Sequence, residues 1–165
     1  MFEKNKSDLH CHLNGSFSLE FLKQLAEKNE CMDVYATYEK LSQEYLDLTK
    51  EQPSTGYPKK IIDMIWGLFA LIHKMVQDLD DITQGTIAVV KNSQAKYLEI
   101  RTTPKAMADK SRDDYIDAFE AGLNATKMDE AIEKTAYGLL SLDRTVHTVD
   151  DAADFIRRIL TSRNR

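Results

Sequence analysis

The sequence is poor in cysteine, proline and clustered basic residues, and each shortage excludes something. It has two cysteines, Cys11 and Cys31, and no Cys-x-x-Cys pair. That pattern offers neither a disulfide framework nor a thiolate zinc site, and makes a reducing, cytoplasmic setting the default. No apolar run can span a bilayer: the most apolar stretch, Met64 to Ile72, is followed at once by His73 and Lys74. Met1-Phe2-Glu3-Lys4-Asn5-Lys6 has no apolar core and does not read as a secretory signal. The net charge is -5, with Lys and Arg spread along the chain. Neither a nucleic-acid partner nor a membrane surface is expected. Of three prolines, Pro53 and Pro58 flank Gly56 and mark a loop between Leu48 and Lys59. There are no internal repeats or low-complexity tracts.

What remains is ordinary globular material. With 165 residues, 42% hydrophobic and 30% charged, the chain can build one domain with a real core. Short strand-like runs alternate with helical ones. Ser7 to Cys11 is strand-like. Ser18 to Asn29 is helical, with Ser18 as cap and Phe21, Leu22, Leu25 and Ala26 on one face. Glu30 to Lys60 reads as an insertion of short helical pieces. Ile61 to Val76 is apolar on nearly all sides, which predicts a buried helix.

A helix follows from Asp80 to Asn92, then a strand from Lys96 to Arg101. Ser111 with Asp114 forms an acidic capping box for a helix reaching Thr126. Ala136 to Leu142 reads as a buried strand. Thr148 and Asp151 cap a last helix, in which Ala152, Phe155, Ile156, Ile159 and Leu160 fall at helical spacing. Strand then helix, three times over, predicts a parallel α/β arrangement.

The sharpest chemical signal is Asp8-Leu9-His10-Cys11-His12-Leu13-Asn14-Gly15-Ser16. Residues two apart on a strand point the same way, so His10 and His12 can offer two imidazoles to one metal ion. A bare His-x-His is more often a pair of unremarkable histidines. The following Leu-Asn-Gly-Ser makes the pattern far more specific.

That motif resembles the opening of the adenosine deaminase-like proteins of the amidohydrolase superfamily. Asn14, where classical adenosine deaminases usually have Asp, resembles the N6-methyl-AMP deaminase branch. Phe69-Ala70-Leu71-Ile72-His73 resembles that branch's histidine-bearing helix. Tyr97-Leu98-Glu99-Ile100-Arg101-Thr102-Thr103-Pro104 and Leu140-Ser141-Leu142-Asp143-Arg144 resemble its later strand endings. The resemblance implies the N-terminal part of a TIM (β/α)8 barrel, about three βα units plus extra helices in a single domain over residues 1–165. The site would lie at the C-terminal ends of the strands.

It also implies roles. His10 and His12 would bind Zn2+. His12, Asn14, His73, the Thr102, Thr103, Pro104 and Lys105 loop, and Asp143 would contact a purine nucleotide or nucleoside. The implied reaction is zinc-dependent hydrolytic deamination at C6, converting N6-methyl-AMP to IMP and methylamine. The family often has Arg where Lys105 stands; Lys keeps the charge but lacks the planar fork that grips phosphate. The His-x-Glu with Pro-Cys-x-x-Cys pattern of the other zinc deaminases is absent.

The family further uses a third histidine, an aspartate and a His-x-Gly-Glu segment with a proton-shuttling glutamate. No such segment lies between Asp143 and Arg165. The resemblance therefore assigns no catalytic residue within these 165 positions and implies that the proton-shuttling glutamate lies beyond Arg165. The expectation is a truncated form, inactive alone, of an enzyme that is monomeric at full length. Two alternatives stand beside it. One is another His-x-His metal-dependent hydrolase, such as a polymerase-and-histidinol-phosphatase-type phosphoesterase. The other is a non-catalytic relative acting as a binding or regulatory module.

Overall fold

The computed structural model describes residues 6–50 and 59–162. Three strands, β1 (Ser7–His12), β2 (Tyr97–Thr102) and β3 (Thr135–Leu140), form one parallel sheet in the order β1-β2-β3. Between β1 and β2 come α1 (Leu19–Lys28), α2 (Met32–Lys50), α3 (Lys59–Met75) and α4 (Leu79–Asn92). Helix α5 (Arg112–Met128) connects β2 to β3, and α6 (Val149–Ser162) follows β3. Parallel neighbours need such crossovers, because a tight turn cannot bring the chain back in the same direction.

The caps explain where the helices begin. Ser18 Oγ accepts from the Phe21 N–H at the start of α1. Ser111 and Asp114 form the expected capping box on α5. Asp78 and Asp81 form another on α4, two residues upstream of the expected start. Thr148 and Asp151 exchange the corresponding bonds at α6. Each reciprocal pair satisfies backbone donors that the first helical turn leaves without partners.

One face of the sheet carries the core. Leu98 and Ile100 of β2 and Cys11 of β1 are buried against Leu22, Ile82, Val90, Phe119 and neighbouring apolar residues. Beneath α1, Asp81 is fully buried and accepts from Lys28 Nζ at 2.7 Å, Asn29 Nδ2 at 2.8 Å and the Gln77 and Asp78 N–H groups. A carboxylate can be buried because both of its oxygens have donors, one of them a charged ammonium.

Three expectations need correction. Glu30 to Lys60 is not a set of short pieces: α2 is one helix of 19 residues, packed on α3. Helix α3 is not buried all round. Ile61, Met64, Ile72 and Met75 face inward, while Ile62 and Trp66 face solvent, Trp66 at 67% exposure. Nor is β3 buried. Ala136 is, but Tyr137 and Leu139 are exposed, because among the described residues nothing covers that face of the sheet.

Two other expectations fall elsewhere. The loop expected around Pro53, Gly56 and Pro58 lies mostly outside the described residues. So does Arg165, the position beyond which the proton-shuttling glutamate is expected. Among the described residues no helix is long and apolar enough to cross a membrane.

Candidate active site

The site is assembled at the exits of β1 and β2. His10 and His12 both reach the open face, and their Nε2 atoms are 3.1 Å apart. Two imidazole nitrogens sharing a tetrahedral zinc, each about 2.0–2.1 Å from it, lie roughly 3.3 Å from each other. The pair therefore fits the donor set and spacing of half a zinc site. The same separation suits an N–H···N hydrogen bond, and in either case the two nitrogens converge. Burial, the neighbouring His10 and the Arg101 guanidinium hold the His12 imidazole below its ordinary pKa, favouring the neutral form that binds metals.

The face these histidines occupy is set by an irregularity in β1. Asp8 pairs with Leu98 and Cys11 with Ile100, so Leu9 and His10 together face the single residue Glu99. This is a β-bulge. Counting on from Asp8 without it would place His10 opposite Ile100 and His12 opposite Thr102, on the helix-covered side. With it, Cys11 enters the core and His12 stands opposite Arg101 on the open face.

Beyond β1 the chain turns sharply through a 3-10 turn at Asn14–Ser16. Asn14 Oδ1 is buried there without a hydrogen-bond partner, an acceptor left available to a donor from a ligand. Gly15 allows the turn to approach α3: a Cβ at this position would lie 2.9 Å from the Phe69 ring. Phe69 in turn meets His12, Trp66 and His73, with ring centroids 6.3, 6.3 and 6.5 Å away. An aromatic wall thus runs from the histidine pair along α3.

His73 is brought to the same rim. Burial and then the Lys105 charge push its pKa below the ordinary value, and burial lowers that of Lys105. His73 therefore senses the Lys105 charge. The rest of the expected loop divides. Thr103 is exposed and Pro104 buried, while Lys105 is exposed over much of its length with its ammonium partly desolvated. Thr102 does not present its side chain: it is buried, and its Oγ1 lies 2.7 Å from the Tyr115 hydroxyl on α5. Even residues of β2 face the helices, so parity assigns Thr102 to the core. Its carbonyl instead accepts from the Ser141 N–H at 2.8 Å, joining the exits of β2 and β3.

Asp143 lies beyond β3, with Oδ1 accepting from the Thr145 N–H and hydroxyl at 2.8 and 2.6 Å. Those bonds hold its carboxyl below the usual range. His147 is tied into the same turn, its Nδ1 accepting from the Asp143 N–H at 3.1 Å. Among the described residues no group of three or more His, Cys, Asp or Glu could hold a metal ion.

Two residues of this site escape motif reading. Phe69 opens the Phe-Ala-Leu-Ile-His segment but by composition reads only as helix core. Arg101 ends Tyr-Leu-Glu-Ile-Arg, and period-two counting is the signal that sets it on the open face with Tyr97 and Glu99.

Comparison with known proteins identifies the family. The adenosine deaminase family model matches residues 5–161. An adenosine deaminase-like protein of Drosophila pseudoobscura pseudoobscura is 32% identical over 117 residues, covering 69% of this chain and 32% of its own length. N6-methyl-AMP deaminase-L of Xenopus laevis is 28% identical over 143 residues, covering 84% of this chain and 37% of its own length. The crystal structure of Arabidopsis ADAL complexed with IMP superimposes with a TM-score of 0.67 at 29% identity, covering 96% of this chain and 46% of that one. The chain thus spans less than half the length of these relatives, and its three βα units form an arc of a barrel. It belongs to the adenosine deaminase family.

Proposed function

We propose that this chain supplies two zinc ligands and part of the nucleotide pocket of a hydrolytic purine deaminase acting at C6, with N6-methyl-AMP as substrate. The observation that carries the reading is the convergence of His10 and His12 Nε2 at 3.1 Å on the open end of β1. When bound, zinc lowers the pKa of water to roughly 7 and so supplies the nucleophile at neutral pH. A tetrahedral site needs ligands beyond these two, as well as a group to move the proton. On this reading residues 1–165 are one part of a single barrel domain, inactive alone. The proton-shuttling glutamate lies beyond Arg165, and the complete enzyme is a cytoplasmic monomer.

The chain's own residues have separable tasks. His10 and His12 hold the metal. Asn14 Oδ1, buried and unpartnered, accepts an N–H from the purine. Leaving such an acceptor unmet costs about 1–3 kcal/mol, which a correctly placed donor recovers. Phe69 and Trp66 give the base an aromatic flank. His73 and the Lys105 ammonium lie within electrostatic reach of one another, and a phosphate bound to Lys105 would offset that charge and favour an imidazolium at His73. Thr103, Pro104 and the turn at Asp143 close the rim. The Xenopus relative's name and the IMP in the Arabidopsis structure support a nucleotide rather than a nucleoside.

The test is metal content and substrate preference. In a chain extended to the length of its relatives, the double variant His10→Ala/His12→Ala should lose the bound zinc. Unchanged zinc would overturn the ligand assignment. In a chain extended to the length of its relatives, kcat/KM should favour N6-methyl-AMP over adenosine, and an equal or reversed preference would overturn the substrate.

A further inference from the structure

Two side chains outside the motif's histidines hold the bulge that turns those histidines to the open face. The bulge leaves Leu9 and His10 against one residue of β2, so their backbone groups cannot all enter the regular ladder. The structure meets both needs with side chains. Arg101 Nη2 donates to the Leu9 carbonyl at 3.0 Å. Asp8 Oδ1 accepts from the His10 N–H at 3.0 Å.

Arg101 is well placed for this task. It pairs directly with His12 in the β1–β2 register, and its carbonyl accepts from the Leu13 N–H at 2.9 Å. Its backbone therefore fixes the strand just after the bulge, and its side chain reaches back to the bulge itself. The guanidinium keeps this position although its Nε is buried without a partner. An orphaned donor opposes the arrangement, so the bond to Leu9 is not a by-product of a side chain satisfied elsewhere.

The consequence follows from strand parity. Sliding β1 by one residue would exchange its two faces. His12 would turn toward the helices and Cys11 toward the open face. Holding the Leu9 carbonyl and the His10 N–H blocks that slide at the point where it would begin.

We infer that Arg101, with Asp8, is a positioning residue that clamps the β1 bulge and so sets the convergence of His10 and His12. This inference rests on the zinc reading for its purpose, but the clamp itself is a statement about strand register.

The experiment measures both on the 165-residue chain. Zinc affinity is read by competition with a chromogenic chelator, alongside thermal unfolding. Arg101→Met keeps the aliphatic stem and removes the donor. It should weaken zinc binding by about 10–100-fold, as loss of a residue supporting a metal ligand commonly does. Arg101→Lys retains one donor and should recover most of that loss. In metal-free protein, cross-strand NOEs between Cys11 and Ile100 should be clear in the wild type and weakened or displaced in Arg101→Met.

Wild-type zinc affinity and unchanged Cys11–Ile100 NOEs in folded Arg101→Met would overturn the inference. If that variant fails to fold, Asp8→Ala removes the other clamp and must weaken zinc binding in the same way; unchanged affinity there overturns it equally. If the 165-residue chain takes up no measurable zinc, two imidazoles alone hold the metal too weakly for that readout, and the NOEs decide whether Arg101 holds the register.

Discussion

Phe69 stands edge-on to His12, with planes at 69° and ring centroids 6.3 Å apart, so helix α3 leans directly on one of the two convergent imidazoles. That contact depends on Gly15, whose missing side chain leaves room for the Phe69 ring. Gly15→Ala should push the ring away from its present position. Overpacking of this kind typically costs about 1–3 kcal/mol, and the mobile end of the ring should keep the cost at the low end. Trimming the ring in Gly15→Ala/Phe69→Leu should recover stability relative to the sum of the single changes. Urea denaturation of the four proteins checks this, and strict additivity would show that the two residues do not press on one another.

His73 and Lys105 predict a pH dependence with a definite sign. The folded-state pKa of His73 lies below its ordinary 6.5, through burial first and the Lys105 charge second. The unfolded chain therefore takes up the proton first as pH falls. The His73 contribution to stability is fully present above about 6.5 and declines as pH drops toward the depressed native value. Lys105→Met removes one of the two causes, so the His73 pKa should rise toward its ordinary value. Imidazole proton shifts followed by NMR across this range would show it. An unmoved His73 would mean that Lys105 exerts no influence there.

The two classes of feature differed in how far the sequence exposed them. Caps and strand order were legible, because Ser18, Ser111 with Asp114, and Thr148 with Asp151 act on neighbours within one helical turn. The His10–His12 pair was legible for the same reason. The β1 bulge was not. It exists only in the register between β1 and β2, whose pairing joins residues about ninety positions apart. The exposure of Trp66 and Leu139 was hidden too. Apolar composition predicts burial, but which face is covered depends on what the rest of the fold supplies.

Asp81 should be far more sensitive to loss of its charge than the exposed aspartates around it. Its Oδ1 accepts from Lys28, and its Oδ2 from Asn29 and the Gln77 and Asp78 amides. Burial alone would lower the Lys28 pKa, yet bonds to Asp81, Asp78 and Asp80 hold it well above the ordinary lysine range. Asp81→Asn turns an amide NH2 toward one set of these donors in either orientation. Lys28 is partly exposed and keeps Asp78 and Asp80, so the cost is that of mispaired buried donors, about 1–3 kcal/mol. Asp80→Asn, at an exposed member of the same cluster, should cost about 0–1 kcal/mol. Chemical denaturation separates the two, and similar values for both would contradict the distinction.

A final prediction concerns the apolar stripe left uncovered on α6. Helix α6 is anchored by Phe155, which is buried with the Arg112 guanidinium 5.5 Å from its ring centroid, and by Arg112–Asp151 and Arg158–Asp117 ion pairs. The rest of its apolar stripe is not used: Ile156 and Leu160 are 59% and 56% exposed. On the open face of the sheet Tyr137 of β3 is 50% exposed, and β3 is an edge strand with one side of its ladder unpaired among the described residues. Exposed apolar surface and a free strand edge each favour association with another chain. The 165-residue chain should therefore self-associate at rising concentration. Ile156→Glu with Leu160→Lys should suppress this without unfolding the sheet, since neither side chain belongs to the core. Sedimentation velocity over a concentration series, with circular dichroism as the check on folding, measures the effect. Association that persists unchanged in the folded double variant would move the contact surface away from α6.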